Sequence, residues 1–316
     1  MVLNMFDVVC TGEILIDFIS LESGKKLKDV RQFQKNAGGS VANVAVSLSK
    51  LGVKTAFCGK VSTDNFGDYL IETLEKNGVD TTLTIRDALT KTCLAFVSID
   101  PEGNPDFEFF DEKASYSFLH IDEVDLNAFE RSKLYHFGSI PLLKSPTSET
   151  LIALLDRAKS AGMLATFDPN IRPKLIKNRN EYMKLFKYIL PKVDVVKMSD
   201  QDLHYIFPNL TIEKAAEKLY DYGERLLVIT LGNEGCLAIC DGQTFKVPAY
   251  KVRVVDTTGC GDAFMGGLIY GIINNGFENI DETLSFANAA AALVATRKGA
   301  ILSMPTLKEI EKFLRF

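Results

Sequence analysis

The stretch Val252–Gly271, VRVVDTTGCGDAFMGGLIYG, carries five glycines in twenty residues, two of them flanking Cys260 just ahead of Asp262. The apolar run through Val255 predicts a strand that enters a glycine turn and leads into a helix from Asp262. At a helix start the unsatisfied backbone donors and the positive end of the dipole favour an anion. The N–H groups of Gly259, Cys260 and Gly261 occupy that place, and small residues let an anion approach the backbone. Asp262 is then either a helix cap or a functional carboxylate, which the dipole should keep ionised and so weakly basic. Phosphoryl transfer tolerates a weak base, because its transition state is loose and the carboxylate need only orient a hydroxyl and take its proton late. Gly266, Gly267 and Gly271 each cost about 1 kcal/mol relative to alanine in a helix interior, so something must press close to that helix. Two other glycine-loop chemistries fail on spacing. Gly59-Lys60 has Val61 behind it and Lys54 five residues ahead, which breaks the P-loop pattern, and a dinucleotide loop needs glycine at 264, where Phe264 stands.

Outward from this stretch, apolar runs alternate with amphipathic segments. DVVCTG, TAFCGKV, MLATFD, VDVVKM, RLLVITLG and CLAICD read as strands. SVANVAVSLSKLG reads as a helix with Ser40 as cap and Gly52 as stop. DNFGDYLIETLEKNG reads as another, capped by Asp64 and stopped by Gly78. TIEKAAEKLYDYG, DETLSFANAAAALVATRKG and TLKEIEKFLRF are further helices. Such alternation implies an α/β fold, three layers with a mostly parallel central sheet between helices. Residues 1–316 are read as one domain. TCLAFVSI and DFEFF, around the turn DPEGNP, predict a hairpin outside the main sheet, and 18–36 lacks a clean helix. Residues of about 18–36 and 92–112 therefore form a small strand subdomain, read equally as a lid over a site or as surface elaboration.

Composition narrows the function classes. The 316 residues are 47% hydrophobic and 24% charged with a net charge of −5, which argues against nucleic acid as a partner. The N-terminus lacks a basic n-region and is interrupted by Asp7, Glu13 and Asp17, so neither a signal peptide nor a membrane span is expected there. Six scattered cysteines fit reduced, buried thiols in a cytoplasmic protein. Cys236 and Cys240 would lie roughly 13 Å apart along a strand, too far for a disulfide. Three histidines without paired spacing argue against a structural zinc site.

DTTGCGDAF resembles the second signature of the ribokinase-like (PfkB) carbohydrate kinases, and NAGGSVANVAVSLSKLG resembles their first. TLGNEG and TRKGA match two further family segments, in family order from residue 8 to residue 303. GEILIDF, CGKVSTDNFGDYL, YHFGSI and DPNIR are most similar to fructokinases. The resemblance implies a ribokinase-like fold and ATP-dependent phosphorylation of a sugar, fructose to fructose 6-phosphate. Asp262 would be the base, residues 259–261 the anion hole and Arg172 a cation for the moving phosphoryl group. Asp17, Gly38, Gly39 and Asn43 would hold sugar hydroxyls, with Asp168 and Asn170 beside them. Thr230, Gly232, Gly235, Gly261, Asn288 and Ser199 would border ATP. Asp256, Thr258, Val294, Arg297, Gly299 and Ser303 match positions lining a K+ site in relatives. The family's N-x-x-E motif, linked to Mg2+, appears as SDQD, with Ser199 and Asp202 in the key places.

On residue chemistry alone, plainer readings stand beside these: Gly38-Gly39 as a turn, Asn43 on a helix surface, LGNEG as a hairpin turn, Arg172 in a surface ion pair. Cys260 replaces the signature's alanine and offers an oxidisable thiol. Asp111 and Glu112 replace a cation often found in the fructokinase lid. Their negative charge weighs against the runner-up substrate, the carboxylate sugar of a 2-keto-3-deoxygluconate kinase. Two further functions compete for the same residues: a nucleoside kinase and a catalytically idle sugar-binding regulator. A homodimer formed through the lid is also expected.

Overall fold

The computed structural model describes residues 5–22, 24–99 and 105–315. In chain order the elements are β1 (Phe6–Thr11), β2 (Leu15–Ser20), β3 (Phe33–Gly38), α1 (Ser40–Lys50), β4 (Thr55–Ser62), α2 (Asn65–Lys76), β5 (Thr84–Asp87), β6 (Leu94–Ile99) and β7 (Pro105–Phe110). Then follow α3 (Leu126–Glu130), β8 (Ser132–Gly138), α4 (Thr147–Ser160), β9 (Leu164–Asp168), α5 (Arg179–Ile189), β10 (Val195–Ser199), α6 (Asp200–Ile206) and α7 (Ile212–Tyr220). The chain closes with β11 (Leu226–Thr230), β12 (Cys236–Cys240), β13 (Gln243–Val247), α8 (Cys260–Asn275), α9 (Ile280–Ala295) and α10 (Leu307–Leu314).

Nine strands form the central sheet in the order β13-β12-β11-β10-β9-β8-β1-β4-β5. Every neighbouring pair from β11 to β5 is parallel, and only β12 and β13 add antiparallel pairings at one edge. Strands buried on both faces need apolar residues at every position, and β11, LLVIT, supplies them. Their side chains alternate between layers. Val195, Leu226 and Val228 pack with residues of α1, α8 and α9, while Val196, Met198, Leu227 and Ile229 pack with residues of α4 to α7. Because β1 pairs with β4 on one side and β8 on the other, the strand order reverses there. Ligands of open α/β sheets bind beyond the strand carboxyl ends at such a crevice.

The close packing expected around α8 is present. A Cβ added at Gly266 would stand 2.2 Å from Ser47 Oγ of α1, and one at Gly267 2.9 Å from the Ala287 Cα of α9. A Cβ at Gly271 would meet Thr283 of α9 at 2.5 Å. Asp64 caps α2 as expected, accepting from Gly67 N at 2.8 Å.

Three expectations change. Residues 251–255 are not a strand: a strand needs a partner ladder, and here Val255 N–H goes instead to Ala295 O at the end of α9, 2.7 Å away. The helix of the glycine stretch starts at Cys260 rather than Asp262, and Ser40 is the first residue of α1 rather than its cap, which is Gly39. The strand β8 and helices α4 and α5 did not stand out from periodicity.

The second sheet has the order β3-β2-β6-β7, with β6 and β7 as the expected hairpin; DPEGNP falls on 100–105, largely outside the described residues. Its strands begin at Leu15, so β2 and β3 extend beyond the 18–36 boundary. Alternation gives this sheet two faces. Phe18 stacks on Phe96 at 4.9 Å, Phe33 and Phe110 pack edge-on against Phe96, and Phe66 of α2 packs against Phe18. Asp17, Ala95 and Phe109 share one register row, whose side chains alternate with that aromatic face.

Candidate active site

Asp262 lies in the first turn of α8 at the crevice and is 8% exposed. The turn into α8 needs Gly259, whose φ of 82° is left-handed. Two donors from α1 hold the carboxylate. Ser40 Oγ donates to Oδ1 and Asn43 Nδ2 to Oδ2, both at 2.7 Å. Burial raises the Asp262 pKa above the ordinary aspartate value, opposed by Asn43, Ser40 and the Lys197 ammonium. Burial thus makes Asp262 a better proton acceptor than an exposed aspartate.

A second carboxylate, Asp17 of β2, has no hydrogen-bond partner among the described residues. Its pKa is pushed up to about 7 by burial, with Arg172 pulling it down and Asp262 pushing it up. Gly38 makes room for it: a Cβ there would stand 2.0 Å from Asp17 Oδ2. Gly39, at φ 107°, would bring a Cβ to 2.5 Å from Glu13 O. Glu13 was missed by the motif reading. It is 2% exposed and accepts the Ser40 N–H at 2.7 Å through Oε1, so it fixes the residue that in turn holds Asp262. Burial pushes its pKa up to about 7. Two buried acceptors at this place, Asn43 Oδ1 and Glu13 Oε2, have no donor among the described residues.

Asp168 ends β9 and is 2% exposed. Its Oδ2 accepts from Lys197 Nζ at 2.8 Å and its Oδ1 from Asn170 N at 3.1 Å, which makes it an anchor for its neighbours. Lys197 interrupts the apolar strand β10, and that interruption was the signal for it in the sequence. Asn170 takes a positive φ of 40° and its Oδ1 accepts from Arg172 Nη1 at 2.6 Å. Arg172 is exposed at the crevice rather than tied into a surface ion pair.

Ser199 and Asp202 form a capping box at the start of α6. Asp202 Oδ2 accepts from Ser199 N and Oγ, and Oδ1 from Ile171 N at 2.8 Å. Both oxygens thus have intrachain donors, and the described residues hold no group of three or more His, Cys, Asp or Glu side chains arranged for a metal. SDQD thus forms a helix cap, a pattern S-x-x-D already allows.

Thr230 ends β11, and Gly232 and Gly235 form the turn into β12. LGNEG is therefore a hairpin turn at the crevice side of the sheet. Asn288 is buried in α9, its amide donating to Val247 O and Pro248 O at 3.3 Å, so it tethers the segment after β13. Asp256, Thr258, Val294, Arg297, Gly299 and Ser303 come together at the end of α9. There Asp256 accepts from Thr258 N and Oγ1 and from Gly299 N, and Arg297 donates to Ser303 O. Burial pushes the Cys260 thiol up to about 12, which makes it a poor candidate for oxidation. Asp111 forms an ion pair with Lys144.

The model of the pfkB family carbohydrate kinases matches residues 5–307. The chain is 37% identical over 314 residues to probable fructokinase-2 of Arabidopsis thaliana, covering 98% of this chain and 95% of that one. It superposes on the crystal structure of fructokinase with bound ATP from Xylella fastidiosa with a TM-score of 0.89, 30% identity and 98% of both chains covered. A fructokinase from Vibrio cholerae O395 in fructose, ADP and calcium ion bound form gives a TM-score of 0.88 at 29% identity, covering 98% of this chain and 99% of that one.

Proposed function

This chain belongs to the pfkB family of carbohydrate kinases, and on that premise we propose that it transfers the γ-phosphoryl group of ATP to fructose, giving fructose 6-phosphate. The observation that carries the reading is the placement of Asp262: a buried carboxylate of raised pKa, fixed by Ser40 and Asn43, in the first turn of a helix whose N-terminus favours an anion.

In this reading the fructose hydroxyl lies against Asp262. The hydroxyl oxygen forms a bond to the γ-phosphorus, the bond from that phosphorus to the β-γ bridging oxygen breaks, and the hydroxyl proton passes to Asp262. The N–H groups of Gly259 and Gly261 meet the charge on the transferred group, while that of Cys260 donates to Thr257 O at 3.1 Å and braces the turn. Arg172, exposed and close enough for its charge to act on Asp17, supplies a cation. Asp17 accepts from other sugar hydroxyls, which an ionised carboxylate does for two at once. Asn43 Oδ1 is a buried acceptor without a donor, which costs about 1–3 kcal/mol; a sugar hydroxyl supplies the missing hydrogen bond. The β2-β3-β6-β7 sheet, which carries Asp17, acts as the lid and excludes water.

Thr230, Gly232 and Gly235 border the nucleotide. Mg2+ bound with ATP would supply neutralisation of phosphate charge. Among the K+ positions, Asp256 accepts from N–H and O–H donors and Ser303 O accepts from Arg297, and no step here depends on that ion. The carboxylates Asp17, Glu13 and Asp262 around the crevice disfavour a carboxylate sugar, so fructose is preferred over 2-keto-3-deoxygluconate. ADP release with ATP, Mg2+ and a panel of sugars, sugar acids and nucleosides tests this. Fructose should give the highest kcat/KM, and a preference for a sugar acid or a nucleoside would overturn the substrate. No turnover on any acceptor would favour the idle regulator.

A further inference from the structure

Lys197 is a charged residue inside the buried strand β10, VVKMS, with its side chain 6% exposed and its partner Asp168 at 3%. Replacing a buried ion pair with apolar residues is often neutral or stabilising, so folding alone does not account for it. Its location does. A Cβ added at Gly261 would stand 3.0 Å from Lys197 Nζ, so the ammonium lies directly against the backbone that forms the anion cradle. Three carboxylates act on its charge. Burial would lower its pKa, but Asp168, then Asp262 and Asp202, hold it above the ordinary lysine value. The nearby His136, on β8, is held down at about 3 by burial and by the Lys197 charge, so it is neutral. Asp168 is the only hydrogen-bond acceptor of the ammonium among the described residues. An ammonium has three donors, which leaves two for a ligand.

We propose that Lys197 is a catalytic residue of the phosphoryl transfer, its ammonium completing the cradle of residues 259–261 by contacting the transferred phosphoryl group, with Asp168 as its positioning residue. The proposal rests on the kinase reading above. Lys197 stays protonated throughout. The hydroxyl proton still goes to Asp262, and the electron pair of the broken bond leaves on ADP. The ammonium offsets the negative charge of the phosphoryl oxygens, which the nearby carboxylates would otherwise repel.

The test compares Lys197→Met with the double variant Lys197→Met/Asp168→Asn in the full chain. The single variant leaves Asp168 buried without its cation and should be less stable. The double variant removes both charges and should recover the parent melting temperature. If the pair were only structural, the double variant would also recover activity. A cradle role predicts that it does not: kcat stays at least about 100-fold down, with the sugar KM within a few-fold of the parent. A double variant that folds and turns over within threefold of the parent overturns the proposal. Should the double variant not fold, Lys197→Arg decides. It keeps the charge and the pairing but misplaces the donors, so a kcat within threefold of the parent with it also overturns the proposal, and a fall of at least tenfold supports it. The parent is assayed first on the acceptor panel. The cradle serves whichever acceptor reacts, so failure on fructose alone sinks the substrate reading and leaves this comparison readable.

Discussion

Asp262→Asn tests the base directly, and the structure indicates how well the variant is accommodated. The asparagine brings an NH2 group into a place where Asp262 now accepts from Ser40 Oγ and Asn43 Nδ2. The Ser40 hydroxyl rotates freely. Asn43 accommodates the change by flipping its amide, because its Oδ1 has no donor and so has no bond to lose. The substitution also removes a buried charge whose burial is disfavoured. The variant should therefore fold with a melting temperature within a few degrees of the parent. Loss of a positioned general base costs about 10²–10⁴-fold, which at about 1.4 kcal/mol per decade is roughly 3–5.5 kcal/mol on the barrier. The flip turns Asn43 Nδ2 toward the sugar, so KM for fructose should rise a few-fold as well. Steady-state ADP release gives kcat and KM, and circular dichroism gives the melting curve. A folded variant with kcat within tenfold of the parent would refute the assignment of Asp262 as the base.

Two further predictions follow from the titrating groups. Ser40→Ala removes a hydrogen bond that favours the ionised form of Asp262, so the acid limb of kcat against pH should move to higher pH and activity at pH 6 should fall more than at pH 8; a limb that stays put or moves down contradicts this. Glu224 is 2% exposed with neither oxygen bonded, and burial pushes its pKa from 4.5 up to about 7. Its ionised form is disfavoured in the folded chain, so its contribution is full below pH 4.5 and is lost as pH rises toward 7, by up to roughly 3 kcal/mol. Urea unfolding should show Glu224→Gln gaining on the parent between pH 5 and pH 8, and parallel curves would contradict the burial argument.

What the sequence determined by itself is whatever depends on neighbours along the chain. Strand and helix alternation set the α/β layers, Asp64 and Gly78 bounded α2, and the cluster of glycines in α8 announced close packing, because each signal is written in local periodicity or backbone freedom. The same locality misled at residues 251–255, where strand-like residues found no open ladder. Tertiary structure decided the rest. Ser40 and Asn43 meet Asp262 across more than two hundred residues, and Lys197 meets Asp168 only because β9 and β10 lie side by side. A side chain's partner, and with it the pKa of a buried carboxylate, is set by what long-range packing brings within 3 Å, which no spacing along the chain encodes.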